Sequence, residues 1–349
     1  MGKEKGQRTK GNTKAASSSR SAVQLGDNVG FVGFGTTAEA AFVPILQGSD
    51  MDDGVPGDFR LALRKMHKKD VTTKVKAVQE FVELLEAAEA SVVLCVLPYW
   101  PSVYGKLALD HDRRVRELAH QALEALVRPV GKALASHLKA MVGPWYLGQS
   151  DPHPAAATAA TSAWRAAFPP AKQEGAVAFC QKEILDLITE NITVATAQSL
   201  SDPKTTPVEE MEAKHQRVVA MSLTTLAKLT STLPSLPLDL LAPLLDHTKF
   251  WKLSKHKSSS VRQAFFEVVV QLGCSHPLGL ETRAKVVVSA VLPCLLEVEA
   301  KVARAVWAAA LQVEESPDSG RGSHFSPVWP NTITSTSPGS GWLRLASQV

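Results

Sequence analysis

The sequence predicts an all-α chain of stacked helix pairs, on three observations. The first is a stripe. Val115, Leu118, Ala119, Ala122, Leu123 and Leu126 fall at offsets 0, 3, 4, 7, 8 and 11, the spacing of one helix face. Arg116, Glu117, His120, Gln121 and Glu124 fill the other face. The second observation is recurrence. Val261, Ala264, Phe265, Val268, Val269 and Leu272 carry the same offsets, and Val302, Ala305, Val306, Ala309, Ala310 and Val313 repeat them 41 residues later. The third is the spacing of the turns. Val75-Lys76 precedes Val115-Arg116 by 40 residues, and Asp70, Asp112 and Asp151 are 42 and 39 apart. Self-similarity near this period is the mark of a HEAT/armadillo-like helical-repeat solenoid. Burying one stripe does not offset the entropy of ordering one helix, so each helix needs neighbours on both sides.

Residues 1–29 are polar and rich in Ser and Gly, and the first 20 carry six Lys or Arg against one Glu. They are expected to form a disordered basic arm drawn to phosphate-rich surfaces. Residues 30–57 follow as a Gly/Phe-rich anchoring segment. Gly33-x-Gly35-x-x-Ala38 superficially fits a dinucleotide fingerprint, but no strand precedes it and no βαβ unit follows. The solenoid is expected over 58–313. Asp70 opens a helix with Val71, Val75, Val78, Val82 and Leu85 on one side. A helix near 90–97 meets Pro98-Tyr99-Trp100-Pro101, and the next ends near Leu109. The Tyr-Trp pair reads as a plug between helices. Asp112 occupies the N-cap of the organising helix.

Leu134, Leu138, Met141 and Trp145 carry a further stripe, which Gly143-Pro144 should kink or end. The alanine-rich stretch 155–168 suits close helix approach and stops at Phe168-Pro169-Pro170. Helices near 174–197, 208–233 and 237–247 follow, separated by Ser201-Asp-Pro203 and Leu233-Pro234-Ser-Leu-Pro237. The register ends after Val313, and residues 314–349, rich in Ser, Gly, Pro and Thr, are expected to be a disordered tail.

Composition bounds the function. A net charge of +4 over 349 residues is too weak by itself to imply nucleic acid. No apolar leader or 18-residue apolar run occurs, so neither a secretory signal nor a membrane span is expected. Four cysteines occur without a C-x-x-C. Three of them read as core residues in a reducing compartment, and Cys274-Ser-His276 with Cys294 is the nearest approach to a metal cluster. G-x-S-x-G, H-E-x-x-H and G-x-x-x-x-G-K-[ST] do not occur. His111 between Asp110 and Asp112 reads as a solvated turn. No catalytic, cofactor-binding or metal-ligating residue is therefore expected. Arg116 and Arg262 each follow a valine at the same place in two repeats. They are expected to pair with turn carboxylates, Asp112 among them, in a ladder that sets register. The candidate partner-binding residues are Lys68, Lys69, Arg113, Arg114 and Arg116, a basic stripe along the turns suited to RNA phosphates or acidic proteins. A merely solvated face is the alternative.

Several stretches carry a resemblance. Gln7-Arg-Thr-Lys-Gly-Asn12, Gly30-Phe-Val-Gly-Phe-Gly-Thr36, Asp58-Phe-Arg-Leu-Ala-Leu-Arg-Lys65, Lys68-Lys-Asp-Val-Thr-Thr-Lys74 and Val96-Leu-Pro-Tyr-Trp-Pro101 come first. Leu109-Asp-His-Asp-Arg-Arg-Val-Arg-Glu117, Ala167-Phe-Pro-Pro170, Leu200-Ser-Asp-Pro203 and Lys249-Phe-Trp-Lys252 follow in order. Across residues 1–313 the chain resembles the N-terminal region of the listerins, RING-type E3 ubiquitin ligases of ribosome-associated quality control. The resemblance implies a long HEAT-type solenoid whose N-terminal region contacts a 60S ribosomal subunit and the family's tRNA-sensing partner. In that family zinc and the E2 belong to a C-terminal RING, to which nothing here corresponds, and residues after Val313 do not match. The expectation is a cytosolic, ribosome-associated docking region that binds no cofactor itself and acts as a monomer. Ubiquitin transfer by this chain alone is expected to fail. The alternative is a free-standing HEAT-repeat adaptor for a protein partner.

Overall fold

Why the long helices begin where they do is visible in their first turns. Asp70 accepts from the Thr73 amide at 2.7 Å, and Asp112 from the Arg114 amide at 2.8 Å. Each satisfies an orphan donor of the helix it opens. A computed structural model describes residues 54–314, with side chains as far as Leu311. The chain divides into two units, Met1–Gly33 and Phe34–Val349, and every described residue lies in the second. The expected arm, most of the Gly/Phe segment and the tail lie outside the described residues.

Helices α1 (Gly57–Met66) and α2 (Val71–Ala87) form the first pair. Next, α3 (Ala90–Val96) runs through a 3-10 turn into α4 (Trp100–Ala108), which pairs with α5 (Arg113–Val130). Helix α6 (Ala135–Gly148) pairs with α7 (Pro154–Ala167). A short α8 (Pro170–Phe179) leads to α9 (Gln181–Thr193), which pairs with the long α11 (Val208–Thr232), and α10 (Ala197–Leu200) lies in the connection between them. Helices α12 (Leu238–Leu245) and α13 (Thr248–Lys252) precede α14 (Ser259–Ser275). Finally α15 (Pro277–Glu281) and α16 (Ala284–Val291) lead to α17 (Ala300–Glu314). No strand occurs among the described residues.

The pairs stack as two layers. In one, α2 packs on α5, α5 on α7, α11 on α14 and α14 on α17. In the other, α4 packs on α6, α6 on α9, α9 on α12 and α13, and α13 on α16. The step from α7 to α11 is different, because α11 lies against α6 and α9. This is the helical-repeat stacking that the 40-residue period predicts. Val115, Ala119, Ala122, Leu123 and Leu126 are buried, as are all six positions from Val261 to Leu272.

Aromatic rings bridge the pairs. Phe81 of α2 stacks on Trp100 of α4 at 4.9 Å and 11°, and Trp100 meets Tyr104, which in turn meets His120 of α5 edge-on at 5.7 Å. Trp100 is fully buried and Tyr99 nearly so, so the pair plugs the stack. Trp145 of α6 donates from Nε1 to the Ala160 carbonyl of α7 at 3.1 Å. Ala156, Ala160 and Ala163 are completely buried there, because small side chains admit the neighbouring helices closely.

Four expectations are corrected. Gly143-Pro144 does not end its helix: α6 continues to Gly148 with every residue from Met141 onward buried. Packing on both sides holds a turn that lacks one amide. Gly143 is needed for approach, since a Cβ there would stand 2.9 Å from Leu187 Cδ2 of α9. The helix expected near 174–197 is two, α8 and α9. The stripe of α2 is displaced: Phe81 and Ala77 join Val78 and Leu85 inside, while Val71, Val75 and Val82 are half-buried. Of the thiols only Cys180 is buried, Cys95 and Cys274 are exposed, and Cys294 is intermediate.

Candidate partner-binding edge

The turns that join the first helix of each pair to the second lie along one edge, and the sequence-predicted cations lie on or beside them. That edge is built around a repeated device. The fourth residue of α2, α5 and α14 is a cation, Lys74, Arg116 and Arg262. Each reaches forward to a carboxylate of the next repeat. Lys74 pairs with Asp110. Arg116 donates to both carboxylate oxygens of Asp151, at 2.6 and 3.0 Å. Arg262 donates to Glu297 at 2.9 Å and to Glu299 at 3.2 Å. The two arginines also reach back to the preceding turn in the same way. Arg116 donates to the Asp110 and His111 carbonyls, both at 3.0 Å, and Arg262 to those of His256 and Lys257, at 2.9 and 3.2 Å. Helix α7 has Ala157 at its fourth position. Arg217 of α11 crosses over instead and donates to the Asp110 carbonyl at 2.8 Å.

Sequence reasoning foresaw the ladder but chose the wrong partner. Asp112 turns to its own helix, capping it and taking the Arg114 guanidinium at 3.1–3.2 Å. Arg116, expected among the partner-binding cations, is 3% exposed and bonded inside the ladder, so it belongs to the scaffold. The burial of Asp110 opposes its ionisation, yet the His111 hydrogen bond and the Lys74 charge outweigh it and hold the carboxyl well below the usual range. Asp151 is likewise held low, with the Arg116 hydrogen bond overcoming desolvation. Burial pushes Lys214 down to about 8 and Arg217 down to about 10 in the same cluster, each also repelled by Arg116.

The remaining candidates face outward. Lys68 and Arg113 are exposed and make no ion pair among the described residues. Arg114 is exposed but shared with Asp112. Lys69 meets Asp202 at 2.9 Å. That contact was not legible in the sequence. The connection between α9 and α11 folds back over the turns, with Lys214 donating to the Leu200 carbonyl at 2.6 Å. A small separate apolar cluster of Leu109, Leu147, Leu187, Leu200, Val218 and Met221 seals it. Asp70, Asp110, Asp112 and Asp151 are thus engaged by caps and ladder, while Lys68, Lys69, Arg113 and Arg114 line the outside, with Asp202 on Lys69.

Among the described residues no three His, Cys, Asp or Glu side chains converge as metal ligands. His276 Nε2 lies 3.0 Å from the Leu236 carbonyl, and Cys294 Sγ is 3.5 Å from the Ser254 carbonyl. No helix of the described residues is long and apolar enough to cross a membrane.

Comparison with known proteins agrees with this architecture. The family described as "E3 ubiquitin-protein ligase listerin, N-terminal domain" matches residues 50–329. The mouse E3 ubiquitin-protein ligase listerin is 45% identical over 322 residues, covering 89% of this chain and 18% of its own length. The chicken protein of the same name is 44% identical over 321 residues with the same coverage. Among solved structures, an archaeal HEAT-like repeats protein from Thermococcus onnurineus NA1 overlays 73% of this chain and 88% of its own at a TM-score of 0.30 and 14% identity. That overlay is loose, and the fold rests on the helix stacking itself. The chain spans under a fifth of the length of the curated relatives it matches. It belongs to the listerin family of E3 ubiquitin-protein ligases and corresponds to the family's N-terminal domain.

Proposed function

We propose that this chain is the ribosome-docking region of a listerin-type E3 ubiquitin ligase, and that it holds a stalled 60S subunit so that the nascent chain can be ubiquitylated. One observation carries the reading: the segregation of charge across the turn edge. Asp110 and Asp151 are buried in the ladder and Asp70 and Asp112 accept from the helices they open, while Lys68, Lys69, Arg113 and Arg114 are exposed on two successive turns. Such a line of cations suits the phosphates of structured RNA, where association is driven by counterion release and falls with salt. On this reading zinc and the E2 belong to the RING of the longer protein, and this region supplies position. It acts as a monomer in the cytosol beside the family's tRNA-sensing partner.

The test is co-sedimentation of the chain with purified 60S subunits across a salt series. Wild type associates at low salt and dissociates as salt rises. Lys68→Glu/Arg113→Glu weakens association and flattens the salt dependence, by roughly 0.7–0.9 in logarithmic slope per lost phosphate contact. No association at low salt, or a double variant indistinguishable from wild type, overturns the reading.

A further inference from the structure

At the opposite ends of α2 and α5 from the basic turns lies an open groove of about 650 Å³. Its floor is apolar: Val82, Leu85 and Ala88 on one side, Ala125 and Pro129 on the other. Its rim carries Glu86 and Glu124, with Gln121 and Arg128 beside them. We infer that this groove docks a cationic amphipathic helix of a partner protein, seating one or two apolar side chains on the floor and lysine or arginine on the rim.

Three observations select that occupant. The groove is formed by the last turns of two helices, and helix C-termini carry partial negative charge. A cation in the last turn is the ordinary remedy, and α2 has none there. It has glutamates instead: Glu83 and Glu86, with Glu89 just beyond the helix end, all exposed and without an ion pair among the described residues. Like charges three residues apart repel one another, and Glu83 and Glu86 sit at the wrong pole of the α2 dipole. Arg128 of α5 is already paired with Glu124. Finally, Pro129 within α5 has no amide, so the Ala125 carbonyl loses the donor that would lie one turn ahead. Ala125 and Pro129 both line the groove. Apolar floor and acidic rim together fit the helix-in-groove mode with a basic partner, and a nucleic acid would be repelled.

Helix α2 has 17 residues, so its two ends lie about 25 Å apart at 1.5 Å per residue. The groove and the basic edge can therefore be occupied at once and tested apart. The probe is a fluorescein-labelled helical peptide with leucine at i and i+4 and lysine elsewhere, its binding to the full chain followed by anisotropy. A peptide of the same pattern with glutamate for lysine is the counterpart. The lysine peptide is expected to bind and the glutamate peptide not. Glu83→Lys/Glu86→Lys should weaken lysine-peptide binding about tenfold or more, while Glu174→Lys, the same kind of charge change on exposed α8, should not. Association with 60S subunits should survive Glu83→Lys/Glu86→Lys. Equal loss in the Glu174 variant, binding of both peptides alike, or no binding at low salt overturns the inference. A circular-dichroism melt of each variant separates lost docking from lost folding.

Discussion

Arg116 and Asp151 meet where water is excluded: their side chains are 4% and 0% exposed. Two charge-assisted hydrogen bonds in fork geometry, and two more to turn carbonyls, satisfy most of the guanidinium. Replacing such a pair with apolar residues can be neutral, but removing one partner leaves a buried charge uncompensated. Arg116→Ala should therefore cost about 3–5 kcal/mol and move the urea midpoint without loss of helical signal at zero denaturant. A loss below about 1 kcal/mol would show the pair to be no more than a surface bridge. The carboxyl of Asp151 is held below its ordinary value, so the stability it gives is present above about pH 4 and is lost as pH falls below it. The sequence showed that Arg116 stands after Val115 as Arg262 does after Val261. It did not show that its partner lies 35 residues ahead rather than in its own turn. Nor did it separate Arg116 from Arg113 and Arg114: three arginines within four residues look alike until helix phase turns one inward.

At the scale of the element, α5 and α6 meet through His120 and Gly148. The imidazole is completely buried, and its Nδ1 hydrogen-bonds Tyr104 Oη at 2.9 Å. A Cβ on Gly148 would stand 2.5 Å from its Nε2. Burial pushes His120 down to about 4, with the Asp151 charge opposing and Arg116 assisting. The folded chain therefore holds a neutral ring at pH values where the unfolded chain, near 6.5, is protonated. Stability contributed by His120 is complete above pH 6.5 and declines as pH falls toward 4, at roughly 1.4 kcal/mol per pH unit for one proton. Urea unfolding between pH 7.5 and 5 should show that decline, and His120→Gln should make it shallower by about one proton. An unchanged slope would mean that the ring titrates freely in the folded chain.

Legibility at this scale was uneven for a physical reason. The stripes of α5, α14 and α17 were readable because one face of each is apolar at a regular period. Helix α6 is not legible in this way because Pro144 is a strong local stop signal, and only the side chains on every side of it reveal that packing outweighs it. His120 was placed on the polar face by periodicity, although the neighbouring pair covers it.

In the first two repeats charge is sorted by helix end: cations beside the N-terminal turns of α2 and α5, and glutamates near their C-terminal ends, where Arg128 pairs with Glu124. This runs against the helix dipole, which favours anions at N-termini and cations at C-termini. The first violation is offset by the cap carboxylates Asp70 and Asp112 and by the buried Asp110 and Asp151, and what remains outside is available to a polyanion. Asp202 is the exception, an anion brought from a distant connection onto Lys69. Both side chains are largely exposed, so the pair contributes little to stability but cancels one cation of the edge. Asp202→Asn should leave the melting temperature unchanged within error. It should strengthen 60S association about two- to fivefold at low salt and steepen its salt dependence by somewhat less than one unit, since one more phosphate can be neutralised. Binding that weakens, with melting unchanged, would mean that Asp202 itself faces the partner, and the line of cations would then no longer account for docking.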